Sequence, residues 1–175
     1  MTESEIFEAV TGSGSTDFAT VVRILNRRSG WCLIGGLAVN CYVEPVYTLD
    51  ADIVVISSDL PAIRNELEGA DFSLEVFAHS LNATMAGSDL RIQFSTDPRY
   101  QDFLNNTSRY DVLGQKVPVA SLENVVRGKI WAWSGDSPRL SKGKKDELDL
   151  IRIAEKYPEL RRAMPPQIIQ QLEAN

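Results

Sequence analysis

Asp50 and Asp52 stand two residues apart where the chain enters an apolar run, Ile53-Val54-Val55-Ile56. A run of this kind, rich in β-branched residues, predicts a strand over residues 48–56 that is covered on both faces farther along. On a strand, residues i and i+2 share a face, so the two carboxylates project together while Ala51 and Ile53 turn away. Adjacent carboxylates repel, and keeping both ionised on a core strand is costly unless a divalent cation neutralises them. Hard oxygen donors of this type select magnesium or manganese. The other arrangement open to such a pair is a solvated strand entrance. Either way, a covered sheet is required.

A second signal precedes it. Trp31 to Ile34 is a short apolar run that reads as a buried strand and ends at Gly35-Gly36, after which Leu37 to Tyr42 reads as a helix ended by Pro45. Glycines at a strand-to-helix junction let a backbone approach a triphosphate, and the helix start offers N–H donors. No Gly-Lys-Ser/Thr follows, so the junction is not a Walker A loop, and a third glycine of a dinucleotide fingerprint is missing.

The remaining pattern predicts helices over 3–10, 17–28, 61–68, 121–133 and 144–157, with a short one after Pro165-Pro166. Strands are predicted over 72–77 and 90–94, and 110–113 with 116–120 form a hairpin around Gly114. In the strand over 90–94, Arg91 and Gln93 occupy the face opposite Leu90, Ile92 and Phe94. The expected fold is α/β (α+β): a small mixed twisted sheet flanked by helices. One domain spans residues 1–175, with a core over about 17–120 and a C-terminal helical lobe over about 121–175. Lys145 and Asp149, four apart near the predicted start of the helix over 144–157, are expected to pair along it.

Charge is divided unevenly. Residues 1–90 carry 4 basic and 13 acidic side chains, and residues 91–175 carry 14 basic and 11 acidic. Such a division suits a site with metal on one wall and phosphates on the other, and equally suits solvated helix faces. Arg139, Lys142, Lys144 and Lys145 are candidates to grip phosphate. No apolar run approaches the roughly 20 residues of a membrane span. The acidic N-terminus lacks a signal core, so a cytoplasmic protein with reduced Cys32 and Cys41 is expected. These cysteines and the single histidine, His79, have no zinc spacing.

Leu33-Ile34-Gly35-Gly36-Leu37-Ala38-Val39, followed by Tyr47-Thr48-Leu49-Asp50-Ala51-Asp52-Ile53, resembles the signature of the DNA polymerase beta-like nucleotidyltransferase superfamily. Leu122-Glu123, Lys129-Ile130-Trp131-Ala132 and Lys142 to Leu150 are similar to the closing region of its abortive-infection-type toxin branch. The resemblance implies the nucleotidyltransferase fold and magnesium-dependent transfer of a nucleoside monophosphate from an NTP. Gly35 and Gly36 would hold phosphate, and Asp50 and Asp52 would bind Mg2+ (or Mn2+). Lys129 would reach the triphosphate or substrate, and Asp146 matches a polar residue needed for activity. A third carboxylate on a later strand is usual in the superfamily, and Asp89 and Glu75 are the candidates. Where the superfamily often has an arginine four residues before the first aspartate, this chain has Val46.

The acceptor implied is an RNA such as tRNA, or a protein, in a toxin–antitoxin setting with a cognate antitoxin as partner. Two alternatives remain: a catalytically weak or inactive module that binds nucleotide or a partner, and a small-molecule antibiotic nucleotidyltransferase.

Overall fold

A computed structural model describes residues 1–135 and 139–174. Its centre is a mixed sheet of seven strands in the order β3-β4-β5-β2-β1-β7-β6. β1 (Trp31–Ile34) and β2 (Asp50–Val55) pair antiparallel in the middle. β2 runs parallel to β5 (Arg91–Ser95), and β1 runs parallel to β7 (Gln115–Ala120). β3 (Ser73–Val76) and β4 (Ser80–Thr84) extend one side as an antiparallel meander, and β6 (Thr107–Val112) closes the other. The β6–β7 turn places both Leu113 and Gly114 at positive φ, 49° and 81°. That matches the primed turn favoured in two-residue hairpins.

Helix α1 (Glu3–Thr11) buries Phe7, and helices α2 (Gly14–Leu25) and α4 (Leu60–Gly69) bury Phe18, Leu25, Ile63 and Leu67 completely. The short α3 (Gly35–Val39) follows β1 directly. Two long helices, α5 (Leu122–Ser134) and α6 (Leu140–Lys156), pack on each other and on α3, and α7 (Pro166–Glu173) packs on α6. Tyr157 Oη and Lys156 Nζ both donate to the Tyr42 carbonyl, at 2.8 and 2.6 Å. Arg152 reaches the Glu44 carbonyl beside them. These bonds tie the end of α6 to the segment between the glycine pair and the aspartates.

The mixed sheet flanked by helices is the expected fold class. α2 and β6 begin three residues earlier than expected, α3 spans Gly35–Val39 rather than 37–42, and two further elements differ. The sequence pattern predicts no element over β4, since Ser80, Asn82 and Ala83 are weak strand formers; pairing with neighbours on both sides makes the strand. α6 starts at Leu140 rather than Lys144, since Gly143 interrupts the helical pattern without breaking the helix. Among the described residues, no helix is long and apolar enough to cross a membrane.

Candidate active site

The register of β2 with β5 builds the site. Asp50 lies opposite Arg91, and Asp52 lies opposite Gln93. Ala51, Ile53, Val54 and Val55 are fully buried, so the two carboxylates are the polar end of an otherwise apolar strand. They open into a cleft of two lobes between the sheet and helices α5 and α6. The wide lobe, about 580 Å³, is lined by Gly36, Thr48, Asp50, Arg91, Arg139 and Lys145, among others. The narrow lobe, about 310 Å³, is lined by Gly35, His79, Asp97, Arg99, Tyr100 and Gly128, among others. Asp52, Gln93, Lys129, Lys142 and Asp146 line both, so the lobes meet at Asp52.

Gly35 is required where it stands. Its φ is +70°, and a Cβ built on it would lie 2.1 Å from Asp52 Oδ2. The carboxylate therefore rests against bare backbone, which no side-chain-bearing residue would permit. Gly36 differs. A Cβ there would make only an ordinary 3.4 Å contact with Thr48 Oγ1.

Asp50 is balanced by cations from two directions. Arg91 Nε donates to Oδ1 at 2.8 Å, and Lys145 Nζ stands 3.7 Å from Oδ2 while donating to Thr48 Oγ1 at 2.7 Å. Burial raises the Asp52 pKa above the usual carboxylate range; Lys129 opposes the rise and Asp50 adds to it.

Lys129 on α5 is buried, and its ammonium bridges Asp146 Oδ1 at 2.8 Å and Asp149 Oδ2 at 2.7 Å on α6. Burial works against its charge, but Asp149 and Asp146 outweigh it and hold the pKa above its ordinary value. Two of its three donors are thus engaged within the protein. Arg152 pairs with the other oxygen of Asp149 at 2.8 Å. The expected Lys145–Asp149 pair is replaced by these contacts: Asp149 faces α5, whereas Lys145 turns to the sheet. Asp146 Oδ2 is buried without a hydrogen-bond partner, in a residue that lines both lobes.

Neither candidate third carboxylate stands beside Asp52. Glu75 shares its sheet row through Gln93 and Asn82 but lies three strands away, roughly 14 Å at about 4.8 Å per strand. Asp89 precedes β5, is exposed, and donates its backbone N–H to Thr11. Gln93 occupies the neighbouring position instead. Among the described residues, no group of three His, Cys, Asp or Glu could hold a metal ion. Two carboxylates and a nearby amide still suit magnesium, which commonly takes one or two carboxylates and completes its shell with phosphate and water.

Of the basic residues singled out in the sequence, Arg139, Lys142 and Lys145 line the wide lobe, whereas Lys144 pairs with Glu147 at 2.8 Å. Sequence reasoning missed the side of the narrow lobe formed by Arg99 and Tyr100. Tyr100 and Phe103 come from a 3-10 segment, Pro98–Asn105, and pack against Trp131 of α5. Arg99 and Arg127 both lie over the Trp131 ring. Of these residues Arg99 and Tyr100 line the lobe, and no spacing in the sequence marks them.

No protein-family model and no curated protein matches the sequence. Solved structures do. The lincosamide antibiotic adenylyltransferase LnuA, bound to lincomycin, is 14% identical with a TM-score of 0.55, over 77% of this chain and 94% of that one. The antibiotic-resistance factor ANT(2″)-Ia is 12% identical with a TM-score of 0.55, over 85% and 95%. An antigenic nucleotidyltransferase-like protein from Paracoccidioides brasiliensis is 16% identical with a TM-score of 0.56, over 94% and 88%. At these identities the likeness establishes the fold, which is that of nucleotidyltransferases.

Proposed function

We propose that this protein transfers a nucleoside monophosphate from an NTP to an acceptor hydroxyl, releasing pyrophosphate. The observation that carries the reading is the pair Asp50 and Asp52, set side by side where a cation-lined lobe meets a second lobe. The two carboxylates would hold Mg2+ or Mn2+, which when bound neutralises charge on the phosphate oxygens. Gly36, Arg139, Lys142 and Lys145 face the wide lobe and receive the triphosphate there. Gly35 keeps Asp52 in place by leaving room for its carboxylate.

In-line displacement at phosphorus puts the attacking oxygen opposite the leaving pyrophosphate. With the β- and γ-phosphates in the wide lobe, the acceptor hydroxyl approaches from the side of the narrow one. The acceptor O–P bond forms as the α–β bridging P–O bond breaks, and pyrophosphate leaves with the electron pair. Asp146, with its free Oδ2 at the junction, is assigned the acceptor's proton. Lys129 holds the other oxygen of Asp146 and offsets negative charge around Asp52.

The acceptor we propose is a hydroxyl of an RNA such as tRNA, or of a protein. A toxin with a cognate antitoxin, working in the cytoplasm, rests on the likeness of the closing segment to that branch. A second reading, a small-molecule acceptor, is favoured by the narrow lobe, whose volume of about 310 Å³ lies at the lower end for small-ligand sites. The names of LnuA and ANT(2″)-Ia point the same way. A third, a nucleotide-binding module without turnover, is favoured by Gln93 standing where a carboxylate would complete the site.

One assay separates them: each α-labelled NTP with magnesium, offered total tRNA, cell extract, or a panel of aminoglycosides and lincosamides. Label on tRNA or protein supports the first reading, and label on a small molecule supports the second. Metal-dependent NTP binding without transfer supports the module. Loss of transfer in Asp50→Asn/Asp52→Asn locates the chemistry.

A further inference from the structure

Two cations flank Asp50. Arg91 holds one oxygen at 2.8 Å and Lys145 stands 3.7 Å from the other. A divalent ion seated on Asp50 and Asp52 would meet both cations. Arg91 is fixed in this position by register, directly across the sheet from Asp50, and Lys145 reaches in from α6 with Thr48 as its second partner. Both side chains line the lobe that also carries Arg139 and Lys142.

We propose that Arg91 and Lys145 form a cation lock on Asp50. It excludes the metal until a nucleoside triphosphate enters, whose β- and γ-phosphates then take both cations from the carboxylate. The inference rests on the nucleotidyltransferase reading and adds an order of events to it: metal affinity is low in the empty protein and is created by the nucleotide. The lock is built to exchange partners. Arg91 and Asp50 are about half exposed, 52% and 41% of their side chains, and ion pairs in water-accessible positions hold weakly. The neighbouring Lys129–Asp146–Asp149 bridge is of the opposite kind, buried to within 7% on every partner. One ion cluster is a strut and the other is a latch. A phosphate offers Arg91 an anionic oxygen acceptor in place of Asp50 Oδ1, so the exchange preserves its hydrogen bond.

Direct Mn2+ binding tests this, followed by electron paramagnetic resonance of the free ion, with and without the α,β-methylene analogues of the four NTPs. In the wild-type protein, the analogue should tighten Mn2+ binding at least thirtyfold. In Arg91→Gln/Lys145→Gln, Mn2+ alone should bind about tenfold tighter than in the wild type, and the gain from the analogue should shrink to a few-fold. Arg91→Lys, which keeps the charge, should retain weak Mn2+ binding. Equal nucleotide-free Mn2+ affinity in the wild type and the double variant would overturn the lock. A wild-type protein that binds no analogue with saturating Mn2+ would instead overturn the nucleotidyltransferase reading on which the lock rests.

Discussion

Gly35 and Asp52 form one unit. The glycine's backbone sits against the carboxylate at +70° φ, so Gly35→Ala introduces both a left-handed alanine and an overlap with Oδ2. Left-handed backbone and overpacking together cost about 2 kcal/mol or more. We expect a lower denaturation midpoint, and lost NTP turnover because Asp52 is displaced. Asp52 itself should behave in the opposite sense. Its carboxylate is held against burial, with Asp50 beside it. Asp52→Asn removes the buried carboxylate and should raise the melting temperature while abolishing turnover, as calorimetric melting and an NTP-transfer assay of both proteins would show. An unchanged or lower melting temperature would mean that the ionised carboxylate is better accommodated than its surroundings indicate. Both residues were legible in the sequence as a pattern. Their contact was not, because it depends on the antiparallel pairing that sets Ile34 opposite Asp52.

At the level of elements, the α5–α6 pair depends on a buried bridge. Lys129→Met leaves Asp146 and Asp149 without their shared cation, though Arg152 still pairs with Asp149. Breaking a buried ion pair from one side costs about 3–5 kcal/mol. We expect that loss in urea titration, with recovery of most of it in Lys129→Met/Asp146→Asn/Asp149→Asn. No recovery would mean that Lys129 packs rather than pairs. The sequence placed Lys129 and Asp146 on successive helices, but the reach of one to the other is a property of helix packing. Strands β1, β2 and β5 were readable from apolar runs and alternation. β4 was not, because its own residues are poor strand formers and its two neighbours decide the matter. The partnership of Arg91 with Asp50 was hidden for a related reason: alternation put Arg91 on Gln93's face, but only the β2–β5 register joins that face to the aspartates.

Across the whole molecule, the acidic and basic halves of the chain meet in the cleft. The acidic half of the chain supplies Asp50, Asp52 and Glu75 to the wide lobe, and the basic half supplies Arg91, Arg139, Lys142 and Lys145. Asp146 is the exception, carried from the basic half to the junction of the lobes. The two halves come together because α6 is tied to the segment between Gly36 and Asp50 by Tyr157, Lys156 and Arg152. The proposed activity of this cleft is movement of the α-phosphoryl group of an NTP. It is tested most directly by paired incubations with α-labelled and γ-labelled NTP, with magnesium and cell extract, following where each label goes. We expect α-label to become bound to an acceptor, γ-label to appear only in pyrophosphate, and Asp50→Asn/Asp52→Asn to do neither. Transfer of the γ-label, or its release as orthophosphate with the α-label left in a diphosphate, would contradict it.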